Sequence, residues 1–317
     1  MRSPVRLSAL DRVFKRRVTS VTRVKQIFKN FCLSRAEKLV TVLVVFVSTP
    51  ILIHGHGALD ERIKAINLEI ARDTNNAQLF VQRAECHREH RDWTAASEDY
   101  DRAEKLDGSL TRLDFFRARL LSEQGLNSKA RGLLDHYLGA NTNDAEALVF
   151  RARLLSKLGE GQGAVADFSR AIELSSEPQP ELFLERAELL TTAGRVTDAL
   201  SGLDEGIKKL GAAVVLQTRA LDLELAQTNY DGALVRVGKI VETSPRKESW
   251  LVRRGEILLQ AGRGEESRKA FADALSAMDA LPARLQSSAA MIELSDRVRE
   301  RLRELDAVQL VKPVPAR

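Results

Sequence analysis

Apolar and small residues recur along this chain with the period of helices, and they do so in paired runs. Phe80, Ala84 and His87 fall three and four apart and share one helical face. Ala96, Tyr100 and Ala103 do the same on a second run, with Arg91-Asp92-Trp93 between them as a turn. Two helices of about a dozen residues each cannot cover their own apolar faces, so such a unit needs neighbours.

The neighbours follow at a nearly fixed stride. Arg83-Ala84 is echoed by Arg117-Ala118, Arg151-Ala152, Arg186-Ala187, Arg219-Ala220 and Arg254-Gly255, at steps of 34, 34, 35, 33 and 35. The second run repeats its own small residue at Ala96, Ala130, Ala164, Ala199, Ala233 and Ser267. A bulky residue stands four later each time: Tyr100, Leu134, Phe168, Leu203, Val237 and Phe271. Small side chains are required where two helix axes approach closely, and bulky ones a turn away fill the remaining space. Gly125, Gly159, Gly194 and Gly262 fall in the connecting turns, where a helix end calls for positive φ. From Ala220 to Ala233 the gap is one residue longer than its counterparts, which predicts a bulge or slack turn there.

This small–large spacing, its period and the helix ending Ala171-Ile172-Glu173-Leu174 resemble the tetratricopeptide repeat family over roughly Leu59 to Leu281. Thr142 and Gly108 stand where that family usually has proline, and Pro245 keeps it. The resemblance implies an all-α protein, a right-handed superhelical solenoid of helix-turn-helix repeats; the apolar run ahead of it, treated below, adds an expected N-terminal targeting or anchor helix. It also implies a concave side lined by first helices and used to hold a protein partner. Members that bind chaperone tails use a Lys/Asn clamp in the first unit; Val81 and Glu85 occupy the matching places, so that specialised role is not indicated.

Charge changes the picture only at the N-terminus. Residues 1–38 hold 11 Lys and Arg against Asp11 and Glu37, net +9, which leaves the rest at −4 within a chain total of +5. The basic balance therefore belongs to a leader, and nucleic acid is not an expected partner. Leu39 to Ile53 is a 15-residue run without a charge. That length sits between the apolar region of a signal peptide and a spanning helix. Residues 39–57 are thus read as either a cleaved signal or a retained membrane anchor. Both readings put the array on the non-cytosolic side of the cell envelope, because the basic flank stays inside.

The expected organisation is a basic cytosolic leader (1–38), the signal or anchor (39–57), an array of a half repeat and six repeats (58–281), a capping helix (282–306) and a flexible tail (307–317). In the half repeat Ile63, Ile66 and Ile70 share a face. The capping helix is expected from Ala283 to Leu305 with Leu285, Ala289, Ile292, Val298, Leu302 and Leu305 as its apolar stripe. Capping is its expected use; pairing with a second copy is the other.

On the first helices, Arg88, Arg112, Arg119, Arg153 and Lys157 read as a basic strip with Phe115 as an exposed aromatic anchor, a groove for an acidic extended peptide. The marker arginines read instead as structural, with Asp99 and Asp167 as partners. Cys86 with His90, and His54 with His56, are incomplete metal sets. His87 reads as a core histidine. No metal, cofactor or catalytic residue is assigned, since nucleophile-elbow, P-loop, dinucleotide and zinc-protease motifs are missing from the sequence. The sequence is thus read as a non-catalytic interaction scaffold of the envelope. The alternative is an accessory or metal-binding protein of an envelope enzyme system.

Overall fold

A computed structural model of the chain describes residues 54–211 and 213–310. The leader and Leu39 to Ile53, which carry most of the signal or anchor expectation, lie outside the described residues. Among the described residues there is no strand, and no helix is long and apolar enough to cross a membrane. The helices fall into two compact units, one ending at Leu106 and one beginning at Asp107.

The first unit holds α1 (His54–Arg72), α2 (Ala77–Glu89) and α3 (Trp93–Leu106). The expected half repeat is part of α1, whose Ile66 is buried against the unit. Ala84 on α2 and Ala96 on α3 are fully buried, as is Tyr100, whose hydroxyl donates a hydrogen bond to Glu85.

The second unit is a run of antiparallel pairs: α4 (Leu113–Glu123) with α5 (Asn127–Ala140), α6 (Ala145–Lys157) with α7 (Gly161–Leu174), α8 (Pro180–Thr192) with α9 (Val196–Leu210), α10 (Val214–Ala226) with α11 (Tyr230–Thr243), and α12 (Glu248–Gln260) with α13 (Gly264–Asp279). It closes with α14 (Ala283–Gln286) and α15 (Ala289–Leu310). The small residues at 118, 130, 152, 164, 187, 199, 220 and 233 are buried, and so are Leu134, Phe168, Leu203, Val237 and Phe271. Gly255 shows why size is limited there, because a Cβ on it would lie 2.6 Å from the Phe271 ring.

Each pair turns through one residue of left-handed backbone: Arg91 in the first unit, then Gly125, Gly159, Gly194, Thr228 and Gly262. Measured from these residues, the turns are equally long throughout, so the bulge expected after Ala220 is absent. The slip lies inside α10. Seven residues before the left-handed position the other pairs carry Ala or Gly, and α10 carries Leu221. One residue of offset rotates the helix face by about 100°. Arg219 accordingly leaves the slot of its counterparts and pairs with Glu188. The slot's cation comes instead from α11: Arg236 donates to Asp204 at 2.7 Å and to Glu224 at 3.1 Å.

The single helix expected from Ala283 to Leu305 is two. Ser287 and Ser288 donate their hydroxyls back to Arg284 and Leu285 carbonyls, which competes with helix continuation. Gln286 Nε2 reaches the Asp279 and Leu281 carbonyls at the end of α13. The break rotates the stripe. Leu285 and Ile292 are exposed, while Met291, Leu294, Val298, Leu302 and Leu305 pack onto the core around Phe271 and Met278.

Candidate functional site

Within the second unit the first helices α4, α6 and α8, with the connection from α7 to α8, enclose an open groove of about 450 Å³. Its apolar floor comes from Phe115, Val149, Phe150 and Leu182, and its rim from Arg119, Glu123, Glu146, Arg153, Glu177 and Gln179. The sequence explains its place. The connection Ser175–Gln179 is one residue longer than the equivalent one before α6, and Pro180 starts α8 at its first turn. That longer connection supplies Ser175, Glu177 and Gln179 to the groove.

Of the expected strip, Phe115, Arg119 and Arg153 line this groove, Arg112 and Lys157 lie outside the lining, and Arg88 belongs to the first unit. Two expectations of exposure fail. Phe115 is only 2% exposed, packed edge-on to Phe116 and Phe150 with ring centroids 5.8 and 5.9 Å away. It is an aromatic hub between pairs, reached by the guanidinium groups of Arg112 at 4.8 Å and Arg119 at 5.9 Å. Arg88 is 5% exposed and spends its guanidinium on Glu85 at 3.1 Å.

The remaining cations are largely matched by carboxylates of the next pair. Arg112 is bonded to Glu146 and lies 3.9 Å from Asp144. Arg153 holds Glu185 in a fork, Nε to Oε2 at 3.0 Å and Nη2 to Oε1 at 2.7 Å. Lys157 is exposed, beyond the lining. In this groove the expected basic strip, diluted in the sequence itself by Glu123 and Glu181, is a mixed-charge rim over an apolar floor. Sequence reasoning missed Phe150, Glu177, Gln179 and Leu182; the 35-residue step and the Pro178-Gln179-Pro180 run were the available signals.

Beside the groove, Asp144 caps α6 by accepting from the Ala147 N–H at 3.0 Å, and Tyr137 Oη donates to it at 2.7 Å. Burial first, and that bond second, push the Tyr137 phenol up to about 12. Burial alone would raise the Asp144 carboxyl. The Tyr137 and backbone hydrogen bonds, with the Arg112 charge, outweigh it and hold the carboxyl below its usual value.

The marker arginines are structural where their bonds are described. Arg83 forks onto Asp99 and reaches Asn67, Arg151 forks onto Asp167 and reaches Asp135, and Arg186 joins Ser169, the Gly202 carbonyl and Glu205. Each ties a first helix to the second helices on both sides. Of the metal candidates, Cys86 is 1% exposed and burial raises its thiol pKa, the opposite of what a thiolate ligand needs. His90 lies 3.7 Å from Asp60, and His87 3.8 Å from Asp99. The side chains of His54 and His56 lie outside the described residues. Among the described residues no three His, Cys, Asp or Glu side chains gather as a metal site.

Comparison with known proteins fits this geometry. The tetratricopeptide repeat family model matches residues 115–181 and 218–283. The C-terminal part of a TPR repeat-containing protein from Cytophaga hutchinsonii has the same fold, with a TM-score of 0.55 at 14% identity over 77% of this chain and 96% of that one. A tetratricopeptide repeat protein from Parabacteroides merdae aligns with a TM-score of 0.45 at 19% identity over 85% and 98%. YrrB, described as a TPR protein with an unusual peptide-binding site, aligns with a TM-score of 0.46 at 18% identity over 63% and 99%. No curated protein matches the sequence.

Proposed function

We propose that this chain, whose residues 115–181 and 218–283 carry tetratricopeptide repeats, is a non-catalytic scaffold that holds an extended segment of a protein partner in the groove of α4, α6 and α8. The observation that carries the proposal is the groove itself: about 450 Å³, floored by Val149, Phe150 and Leu182 and rimmed by polar groups. An apolar floor takes an anchoring side chain, and convergent polar groups fix its orientation.

The proposal extends to location. The +9 leader followed by an uncharged 15-residue run supports display of the array on the non-cytosolic side of the envelope, by a cleaved signal or a retained anchor. An alkaline phosphatase fused after Arg317 should then be active in bacterial cells; an inactive fusion contradicts that location.

The groove is tested by site-specific photocrosslinking. With p-benzoylphenylalanine replacing Gln179 in the full-length chain, a partner should be captured in its native cells and mapped to one segment. The same probe replacing Lys129, exposed on α5, should capture none. Capture from Lys129 alone would reject the groove. The exposure of Leu285 and of Ile292 (49%) favours a second surface, self-association through the C-terminal helices. Sedimentation of the full chain against a Leu285→Glu/Ile292→Glu variant tests it, and equal masses reject it.

A further inference from the structure

The charge left over in the groove has a sign, and resting on the proposed function, we infer that its partner segment is cationic: Lys or Arg beside a bulky apolar side chain. The sequence suggested the reverse. The arginines that suggested an acidic partner are engaged. Arg153 is forked onto Glu185, and Arg112 is held by Glu146 and stacked on Phe115. Arg119 stacks on the same ring. What remains is at the α7–α8 end. Glu177, on the lining, and Glu181, beyond it in the first turn of α8, are exposed and form no ion pair among the described residues, Glu181 acting on Arg153 only as a charge neighbour behind Glu185. Lys157, exposed on α6 as Arg153 is, lies outside the lining, as Glu181 does, so the lining's own unpaired charge is Glu177.

Beside these two carboxylates lie Leu182 and Phe150, partly buried at the floor. An extended segment places alternate side chains about 7 Å apart on one face. A Lys or Arg can thus meet Glu177 and Glu181 while a neighbouring apolar side chain reaches the floor. The array's overall balance agrees, at −4 for the residues after the leader. Complementary charge of this kind sets partner choice and encounter rate more than affinity.

The test uses two fluorescein-labelled nonapeptides, one with Arg and Leu taking turns at every second position and Ser between them, so that both types share a face, and one with Glu in every Arg position. Their binding to the full-length chain in detergent is read by fluorescence anisotropy at low and high salt. The Arg peptide should bind roughly ten-fold more tightly than the Glu peptide at low salt, the advantage shrinking as salt rises. A Glu177→Gln/Glu181→Gln variant, altering only exposed side chains, should lose about five-fold for the Arg peptide and little for the Glu peptide. Equal or tighter binding of the Glu peptide overturns the inference, as does an Arg preference untouched by the double variant. If neutralising Arg16 and Arg17 in the chain's own leader releases Arg-peptide binding that was absent before, the occupant is residues 1–38 and the external partner is overturned. The Gln179 crosslink is independent of these outcomes: a partner captured there with the wrong charge preference sinks the sign and leaves the groove standing.

Discussion

Arg151 and Asp167 meet across the α6–α7 pair as a two-pronged ion pair, Nε to Oδ2 at 2.7 Å and Nη2 to Oδ1 at 2.8 Å. Arg151 also reaches Asp135 on α5 at 3.1 Å, so one guanidinium ties three helices. Asp167 is buried, so removing it strands a cation at the helix crossing. Asp167→Ala should cost about 2–3 kcal/mol in urea unfolding, less than a fully enclosed pair because Arg151 stays partly solvated. Asp198→Ala, which breaks an exposed pair with Arg195, should stay within about 0.5 kcal/mol.

Two glycines separate packing from propensity. Gly255→Ala places a methyl 2.6 Å from the Phe271 ring and should destabilise by about 2 kcal/mol. Gly238, inside α11, has nothing within 4 Å of the added Cβ. Gly238→Ala should therefore stabilise by about 0.5–1 kcal/mol. Thermal unfolding of both variants checks the pair, and equal shifts of the same sign would contradict this assignment of close contact.

Thr228 holds a left-handed backbone at φ 54°, unusual for a β-branched residue. The four equivalent positions in the second unit are glycine. Thr228→Gly should stabilise by about 1 kcal/mol by relieving that strain. Denaturant midpoints measure it, and a destabilised variant would mean that the hydroxyl contributes more than the strain costs.

Tyr137 gives a pH dependence with a defined sign. Its phenol is raised from 10.0 to about 12 in the fold. The neutral form is the one favoured by burial and by the bond to Asp144. Its contribution is thus fully present below the unfolded pKa, and is lost as pH rises from 10.0 towards about 12. Tyr137→Phe should flatten the stability profile in that window, and ultraviolet titration should lose one phenol that ionises above 10.0. An unchanged profile would contradict the shift.

Much of this fold could be read from the sequence because close helix crossings admit only Ala, Gly or Ser, and those residues recur at 84, 118, 152 and onward whatever lies on the surface. The bonds of Arg83 and Arg151 were legible for the same reason: a cation beside the crossing residue finds an acid on the second helix. The state of Phe115 was not. Whether that helix face is open depends on how the next pair lies against it, and Phe150 and Tyr137 close it. The matching of Arg112 and Arg153 was hidden likewise, because Glu146 and Glu185 are 34 and 32 residues away. The slip in α10 was visible as a long gap but was placed in the turn. Only the constant distance from each left-handed residue to the small residue of the second helix assigns it to the first helix, where Arg236 and Glu224 exchange the usual polarity of the slot.

The most direct test of the account is the footprint of the crosslinked partner segment on the full-length chain by hydrogen–deuterium exchange. Protection should concentrate in α4, α6, α8 and residues 175–179. Protection confined to the second helices α5, α7 and α9, with these first helices unchanged, would contradict it.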